Sequence, residues 1–364
     1  MATCKYTWNA IKAGDWVLKL GFVGDGFVAS TSSGGLFGYS LQNVSSPVVN
    51  IHSAHESSIN DMKVVNDNVI ATCSTDGIKI WDTRTGGCQA SLGNGKSNFL
   101  SLASLGDSLA GGTELLGADA EVHVWDMRNT SQVVKSFVDS HHDDVTALEF
   151  HPSLNNYLMS GSTDGCVNIY DLSKPDEDDA LHQVINFGSV HSCHFITESR
   201  ISVLTHDETL LFHDLNDTNY EDLVGPKSDD RGDLREQWAN NEYVVDINPS
   251  GFAAYGANSS EKLFIVPFSP KKEKFKDSKI VSLPGAHGEE VVRDVIVKSN
   301  TTQCLTCGED SKVRLWELPE TLKHYSIGTA SSPVSVINKP KEKSKTKKHH
   351  KKTHKSKSRR FNPY

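Results

Sequence analysis

The sequence predicts an all-β fold built from seven repeated units, and three observations lead to that prediction. Four segments share a short β-branched run that ends in an aromatic residue and an acidic one: ATCSTDGIKIWD (71–82), GADAEVHVWD (117–126), MSGSTDGCVNIYD (159–171) and LTCGEDSKVRLWE (305–317). Weaker copies are GGLFGYSL (34–41), HDETLLFHDL (206–215) and SSEKLFIVPF (259–268). The apolar–polar alternation on either side of a tight turn is typical of a strand–turn–strand unit.

The spacing of the repeats identifies the architecture. The residues at the aromatic position are Tyr39, Trp81, Trp125, Tyr170, His213, Val266 and Trp316, separated by 42, 44, 45, 43, 53 and 50 residues. A period of this length with four strands per unit is typical of the blades of a β-propeller. We therefore predict a seven-bladed propeller over residues 1–325, a linker at 326–338 and a disordered tail at 339–364. The early segment KYTWNAIK (5–12) is expected to add the outer strand of blade 7 and so close the ring, which removes exposed sheet edges.

Three units also carry a small residue followed by His, and then a β-branched residue four positions after that His, in AHESSI (54–59), SHHDDV (140–145) and AHGEEV (286–291). With these features the chain resembles the WD-repeat family over residues 1 to about 325. The resemblance implies that His, Ser or Thr, Asp and an aromatic residue of one blade form a buried hydrogen-bonded chain. The matching sets are His55, Thr72, Asp76 and Trp81; His141, Ser160, Asp164 and Tyr170; and His287, Thr306, Asp310 and Trp316.

A catalytic interpretation of these residues competes with the structural one, because Ser160, His141 and Asp164 have the side chains of a nucleophile, its base and an orienting acid. Three copies in one chain favour a structural repeat, since a nucleophilic site needs only one. Phosphate-binding and metalloprotease motifs do not occur in the sequence, and Cys304 and Cys307 form a CxxC without a second pair. We predict no enzyme activity, no cofactor and no metal site, and we assign both cysteines to core packing.

Charge divides the chain into two parts. Residues 339–364 contain 12 Lys and Arg and one acidic residue, for +11; because the whole chain is −9, residues 1–338 carry −20. The tail lacks the apolar residues needed to fold alone. Its basic clusters suit a nuclear import receptor or a polyanion such as RNA, with a solubilising role as the alternative. The cluster residues are Lys347, Lys348, Lys351, Lys352, Arg359 and Arg360.

Two longer connections stand out between the predicted strands. PDEDDAL (175–181) is placed between the third and fourth strands of blade 4, and GPKSDDRGDLREQWANNEY (225–243) between blades 5 and 6. Long loops of mixed charge are more often functional than short ones. We expect the second segment to lie on the same face as the three His turns and to contact a partner, with a solvated insertion as the alternative. The preferred contact residues are Asp233, Arg235, Glu236 and Trp238.

These features lead to three candidate functions. The first is a nuclear scaffold or escort, with some cytoplasmic presence, whose acidic body binds basic proteins such as ribosomal proteins or histones. The second is a substrate receptor of a cullin-type ubiquitin ligase, because WDTR (81–84) and WDMR (125–128) resemble the WDxR box, with Arg84 and Arg128 as adaptor contacts. The third is an RNA-tethering assembly factor that works through its tail. No membrane segment and no small-molecule substrate are expected.

Overall fold

A computed structural model describes residues 1–93, 97–216 and 227–327, and these form seven antiparallel sheets. The predicted seven-bladed propeller is therefore confirmed. The strands in chain order are β1 Thr3–Asn9, β2 Val17–Val23, β3 Gly26–Thr31, β4 Leu36–Tyr39, β5 Pro47–Ile51, β6 Asp61–Asn66, β7 Val69–Ser74, β8 Gly77–Asp82, β9 Gly87–Leu92, β10 Phe99–Leu105, β11 Ser108–Thr113, β12 Ala120–Asp126, β13 Asn129–His141, β14 Val145–Phe150 and β15 Tyr157–Ser162.

The second half of the ring continues the same pattern. Its strands are β16 Cys166–Asp171, β17 Leu181–Asn186, β18 Val190–Thr197, β19 Arg200–Thr205, β20 Thr209–Asp214, β21 Ser228–Asp233, β22 Tyr243–Asn248, β23 Phe252–Ala257, β24 Lys262–Ser269, β25 Lys274–Phe275, β26 Val281–Pro284, β27 Val292–Val297, β28 Gln303–Gly308 and β29 Lys312–Glu317. Two helices, α1 Glu177–Ala180 and α2 Leu234–Gln237, and three short 3-10 turns, at Asn258–Ser260, Pro270–Lys272 and Asp277–Lys279, lie between them. In the described part of the chain, neither helix is long enough to cross a membrane.

Blades 1 to 5 are meanders of four strands; in blade 6 both β25 and β26 pair with β24, and in blade 7 β1 adds the fourth strand. In each blade the first strand lies at the centre of the ring and the outermost strand at the rim. The second strand is covered on both sides, so that every residue of β3 and β23 is buried, whereas the outer β9 is largely exposed. A tight turn joins the second and third strands. Gly77 and Gly165 occupy its left-handed position with φ of 104° and 93°, and in blade 7 Ser311 takes the same conformation with φ of 66°.

The first and last strands of the described chain meet in blade 7. β1 pairs antiparallel with β29, from Thr3 opposite Glu317 to Asn9 opposite Lys312. Trp8 of β1 is buried and its indole nitrogen donates to the Val44 carbonyl of blade 1 at 2.8 Å. The closing strand is thus fixed both to its own blade and to the next one.

Apolar side chains fill the contacts between neighbouring blades. The described residues form seven buried clusters, and each cluster combines residues of two adjacent blades, including the pair formed by blades 7 and 1. Each blade therefore buries apolar side chains on both of its faces, and the ring supplies a continuous core.

One sequence prediction about chain organisation is wrong. The segment 225–243 is not a single loop between blades 5 and 6, because Ser228–Asp233 forms β21, the outer strand of blade 5, and Leu234–Gln237 forms α2. The extra length of this unit instead lies between β20 and β21, where residues 217–226 are outside the described part of the chain. The predicted loop was placed too late because SDDRGD has the composition of a turn and pairs with β20 only in the folded blade.

Residues 318–327, the described residues after β29, leave blade 7 without forming a strand. Leu318 donates its amide to the Thr302 carbonyl, and the Tyr325 amide donates to the Ser250 carbonyl of blade 6 at 2.8 Å. Ile327 then packs against the cluster between blades 4 and 5. We call residues 318–327 the strap, since they cross blade 6 to reach blade 5.

Candidate functional site

The implied hydrogen-bonded chain is present in blade 2. The Asp76 carboxylate accepts from Nδ1 of His55, so Nε2 of His55 accepts from the Thr72 hydroxyl at 2.7 Å. The Trp81 indole nitrogen donates to the same hydroxyl oxygen at 2.9 Å. Lys79 donates to Asp76 at 2.7 Å and balances its charge. The chain clamps the connection from blade 1 onto the turn between β7 and β8.

Blade 7 repeats this geometry. Nδ1 of His287 donates to Asp310 at 2.6 Å, Thr306 lies 2.8 Å from Nε2, and Trp316 donates to Thr306 at 3.0 Å. Arg314 pairs with Asp310 at 2.6 Å, where blade 2 uses a lysine. Burial lowers the pKa of the His287 imidazole despite the neighbouring carboxylate, and the ring is neutral at physiological pH. Burial alone would raise the pKa of Asp310, but the bonds from His287 and Arg314 lower it to about 2.

In blade 4 the chain ends in a tyrosine. His141 bonds Asp164 at 2.9 Å and Ser160 at 2.6 Å, and the Ser160 hydroxyl lies 3.3 Å from the Tyr170 hydroxyl. Asn168 adds contacts to both His141 and Tyr170. Ser160 is fully buried, so its hydroxyl serves the hydrogen-bonded chain and does not meet a substrate.

The proposed contact residues near α2 separate into two groups. Asp233 caps the helix by accepting from the Arg235 amide at 2.8 Å, and the Arg235 guanidinium folds back onto the same carboxylate at 2.7 Å. Arg235 and Glu236 are exposed. The prediction that Trp238 contacts a partner is wrong, because its side chain is only 3% exposed.

Trp238 instead belongs to the core between blades 5 and 6. Its ring stacks on Tyr255 with centroids 5.0 Å apart and meets the edge of Phe275 at 4.9 Å. The indole nitrogen donates to Asp277 at 3.1 Å. Leu234, four residues earlier, is buried beside it. Two apolar residues at this helical spacing in a polar segment were the sequence signal that could have predicted the burial of Trp238.

The two WDxR arginines lie at equivalent turns between the third and fourth strands of blades 2 and 3. Arg84 donates to Asp82 at 2.7 Å, and Arg128 donates to Asp126 at 2.6 Å. These hydrogen bonds lower the pKa of each aspartate to about 2. The arginine side chains remain 66% and 72% exposed, so each is held in one direction and still accessible.

The segment 175–181 contains α1, between β16 and β17. Glu177 at the start of this helix accepts from the Val138 and Asp139 amides at 2.8 and 3.1 Å and from the Ser140 hydroxyl. These amides belong to the outer strand of blade 3, so Glu177 covers part of an otherwise open sheet edge. Cys304 and Cys307 are buried on β28 with free thiols, in two neighbouring clusters of the core.

The connections at one end of the propeller are strongly acidic. Because the strands of a blade alternate in direction, the turns between the second and third strands share an end with the connections between blades. We call this end the histidine face, since His55, His141 and His287 lie there, and the other end the opposite face. Among the described residues, these connections of the histidine face contain two basic side chains, Lys12 and Arg235. Its exposed carboxylates without a salt bridge to a described residue are Glu56, Glu114, Asp207, Glu236, Glu242, Glu261, Glu289 and Glu290.

Comparison with known proteins places this repeat in a family. The family model for the WD domain, G-beta repeat, matches residues 131–171 and 278–317. An uncharacterized WD repeat-containing protein of Saccharomyces cerevisiae is 44% identical over 289 residues, which cover 75% of this chain and 73% of that protein. The chain belongs to the WD-repeat family.

Two further relatives extend this finding. The WD repeat-containing protein 89 homolog of Dictyostelium discoideum is 31% identical over 289 residues, covering 74% of each chain. An uncharacterized WD repeat-containing protein of Schizosaccharomyces pombe is 27% identical over 268 residues, covering 69% of this chain and 80% of that protein. The resemblance to the WD-repeat family, predicted from the sequence, is confirmed, and it extends to WD repeat-containing protein 89.

This WD-repeat propeller also has a polar channel that sequence reasoning missed. The first strands of the blades line a central cavity of about 500 Å³. In it, His194 of blade 5 contacts Glu149 of blade 4 at 2.6 Å and Asp246 of blade 6 at 3.0 Å. Burial would lower the pKa of His194, but the two carboxylates raise it to about 10, so the ring is protonated and links three blades.

A signal for this channel exists in the sequence. Asp61, Asp246 and Asp294 lie on the first strands of three blades, each directly before a buried apolar residue. Asp61 accepts from the Leu102 amide of the next blade at 2.9 Å, and Asp294 accepts from the Leu20 amide at 2.8 Å. An aspartate that recurs on the innermost strands thus indicates a hydrogen bond between neighbouring blades.

The basic clusters of the tail, at Lys347, Lys348, Lys351, Lys352, Arg359 and Arg360, lie outside the described residues.

Proposed function

We propose that this chain is a non-enzymatic nuclear scaffold or escort that binds basic proteins, such as ribosomal proteins or histones, through its histidine face. WD-repeat propellers typically act as protein-interaction scaffolds, and the chain's membership of that family supports the general part of this proposal. The excess of unpaired carboxylates on the histidine face carries the specific part. Such a surface attracts basic partners and raises their association rate.

Apolar side chains on the same face add an anchor for a partner. Trp16 is 44% exposed beside the Arg293 guanidinium, whose centre lies 5.6 Å from the indole ring centroid. Leu116 is 57% exposed in the turn between β11 and β12. Interfaces that combine a few exposed apolar residues with a charged rim are typical of transient protein complexes.

Charge-neutral variants of the full chain test this proposal. We expect Glu56→Gln, Glu289→Gln and Glu290→Gln together to weaken binding to purified core histones and to reduce its salt dependence, because the interaction is electrostatic. The control combines Asp67→Asn, Asp178→Asn and Asp179→Asn, which removes the same charge from exposed positions of the opposite face. Equal losses in both variants, or histone binding that neither variant alters, would refute the histidine face as the binding surface.

The nuclear part of the proposal rests on the composition of residues 339–364. Replacing Lys347, Lys348, Lys351 and Lys352 with Gln in the full chain is expected to redistribute a fluorescent fusion partly towards the cytoplasm, because an import receptor reads such basic clusters. Unchanged nuclear enrichment would contradict an import role for these four residues.

A second candidate function is that of substrate receptor for a cullin-type ubiquitin ligase. This function is favoured by two exposed arginines, Arg84 and Arg128, each of which is held by an aspartate. They lie at matching turns of adjacent blades. The double variant Arg84→Ala and Arg128→Ala is expected to abolish co-purification with the ligase adaptor, while the control Arg235→Ala retains it. Absence of the adaptor from purifications of the unaltered chain would remove this candidate.

A third candidate, RNA tethering through the tail, rests on the +11 charge of residues 339–364. It predicts that the four-lysine tail variant loses RNA affinity and keeps histone binding. Unchanged RNA affinity together with lost histone binding would contradict RNA tethering through the tail.

A further inference from the structure

The propeller has a local excess of positive charge on the opposite face of blade 6. Lys271, Lys272, Lys274 and Lys276 lie in the connection between β24 and β26, and Lys323 lies on the strap. All five are exposed, and none forms a salt bridge with a described residue. We call these residues the lysine patch. It contrasts with residues 1–338 as a whole, whose net charge is −20.

The two acidic residues of the connection between β24 and β26, Glu273 and Asp277, form hydrogen bonds or salt bridges with residues other than the five lysines. Glu273 accepts from the Arg200 guanidinium, and Arg231 approaches it at 3.7 Å. Asp277 accepts from the Trp238 indole nitrogen at 3.1 Å. The two guanidinium groups therefore neutralise Glu273, whereas Asp277 keeps its charge, so that the five lysines still exceed the free carboxylate of this connection.

Turns, strand pairing and aromatic packing fix the backbone of the connection that presents the lysines. Two 3-10 turns, Pro270–Lys272 and Asp277–Lys279, flank β25, which pairs with the end of β24. Phe275 stacks on Phe268 with centroids 4.8 Å apart and meets the Trp238 ring. A preordered set of lysines loses less conformational freedom when it binds than a flexible loop does.

The strap lies against the same connection. Tyr325 donates its hydroxyl to Ser269 at 3.3 Å, and the Lys323 ammonium sits 4.6 Å from the Tyr325 ring centroid. Lys271, Tyr325 and Ile327 line one groove of about 360 Å³, which Ile196 and Pro249 complete as apolar walls. Glu198 contributes the groove's acidic side chain. The patch thus combines lysines with a half-buried aromatic ring in a groove that has both polar and apolar walls.

We propose that the lysine patch and its groove form a docking surface for single-stranded RNA, with the phosphodiester backbone along the lysines and a base in the groove against Tyr325. Lysines act as point charges towards phosphates, whereas carboxylate partners are typically held by the forked guanidinium of arginine. The two nearby arginines are bound to Glu273, which leaves lysines for the ligand. Aromatic rings beside basic grooves are the common means of stacking unpaired bases.

This surface goes beyond the proposed binding of basic proteins and does not depend on it. The acidic histidine face repels phosphates, so RNA and a basic protein would occupy opposite faces of the ring. Both could bind at once.

The decisive experiment measures the affinity of the full chain for a fluorescent 20-nucleotide single-stranded RNA of mixed sequence over a range of salt concentrations. The variant carries Lys271→Gln, Lys272→Gln and Lys274→Gln. Its control carries Lys12→Gln, Lys174→Gln and Lys262→Gln, which are exposed lysines outside the patch. Both variants keep residues 328–364, so any contribution of that segment is the same in each.

The patch variant is expected to lower the slope of log affinity against log salt by about 2, since each phosphate contact to a single strand contributes about 0.7. If the variant and the unaltered chain bind equally at about 1 M salt, this difference in slope makes the variant bind roughly 100-fold more weakly at about 0.1 M salt. Tyr325→Leu is expected to weaken binding about 5-fold or more with an unchanged salt slope, because it removes stacking and no charge.

Three outcomes would overturn the proposal: no RNA binding by the unaltered chain, equal losses in the patch and control variants, or displacement of the RNA by poly-glutamate as readily as by poly-uridylate. The last result would indicate an acidic protein as the natural partner. Histone binding by the patch variant separates the two proposals, since it is expected to stay unchanged if the histidine face is the protein-binding surface.

Discussion

Blades 2, 4 and 7 differ from blade 6 in how they hold the connection that enters the blade. In the first group a buried histidine links that connection to an aspartate, a hydroxyl and an aromatic ring. Blade 6 has Val266 at the aromatic position, and its entry is held by Trp238, Tyr255 and Phe275 in an aromatic stack. The entering connection is thus held by directional hydrogen bonds in blades 2, 4 and 7 and by aromatic packing in blade 6. Polar bonds require fixed residue types and spacing, whereas packing accepts many sequences.

The largest expected effect comes from Trp316→Ala in blade 7. Removal of the ring leaves a cavity between blades 6 and 7 and takes the indole donor from Thr306, so the free energy of unfolding should fall by ~3–5 kcal/mol. Denaturant unfolding measures this loss. Trp16→Ala serves as the control, because that ring is exposed and its removal should change stability by less than about 0.5 kcal/mol. A Trp316 variant as stable as the parent would contradict the clamp in blade 7.

Trp238→Ala tests the aromatic solution in blade 6. It should lower the free energy of unfolding by ~3–4 kcal/mol, near the loss in blade 7, because a buried ring of the same size is removed. Trp238→Phe keeps much of the stacking and loses the bond to Asp277, and it should cost only about 1 kcal/mol. If both variants matched the parent in denaturant unfolding, Trp238 would have to be exposed.

Removing one hydroxyl group from blade 2 and one from blade 4 tests how much each hydrogen-bonded chain depends on it. Thr72→Ala should cost about 2–3 kcal/mol, because His55 Nε2 and the Trp81 indole are both left without their shared partner. Ser160→Ala should cost only about 1 kcal/mol, since Asn168 remains beside His141 and Tyr170. Thermal unfolding of the two purified variants measures the difference. Equal losses would show that Asn168 gives no compensation, and esterase activity lost with Ser160 would restore the catalytic interpretation.

Acid should weaken the polar blades before blade 6. Burial holds the pKa of His55 and His287 below the ordinary 6.5, so their contribution is complete above pH 6.5 and declines as the pH falls below it. The carboxyls of Asp164 and Asp310 have a pKa of about 2 against an ordinary 3.8, so their contribution is lost as the pH falls from 3.8 through 2. Each carboxyl should account for about 1 kcal/mol after allowance for solvent screening.

Amide hydrogen exchange, corrected for the intrinsic effect of pH, measures this local weakening. Between pH 7 and pH 4 the connections before blades 2 and 7 should lose more protection than α2, whose cap Asp233 is paired with Arg235. Uniform loss of protection over all blades would contradict a local role for the buried histidines.

The polar chains could be predicted because each lies within one repeat and the resemblance of that repeat to the WD-repeat family implies them. His55 and Thr72 are 17 residues apart, and His287 and Thr306 are 19 apart, so a repeat period and a residue pattern are sufficient to align them. The position of Trp238 could not be predicted in this way. Its partners, Tyr255 and Phe275, lie on β23 and β25 of blade 6, and Trp238 meets them only when the connection from blade 5 has packed against that blade.

The sequence by itself determined the number of blades and the all-β class, because alternation and spacing are local properties of each unit. The three hydrogen-bonded chains followed from the resemblance of those units to the WD-repeat family. Only the tertiary structure decided which residues of different units meet. His194 joins Glu149 and Asp246, which are 45 and 52 residues away, and Tyr325 meets Ser269 across 56 residues. These contacts form when the blades close into a ring and the strap crosses blade 6, and the residue pattern within one unit does not specify which of them form. The lysine patch has the same origin, since a lysine of the strap joins four from blade 6 only after both elements have packed.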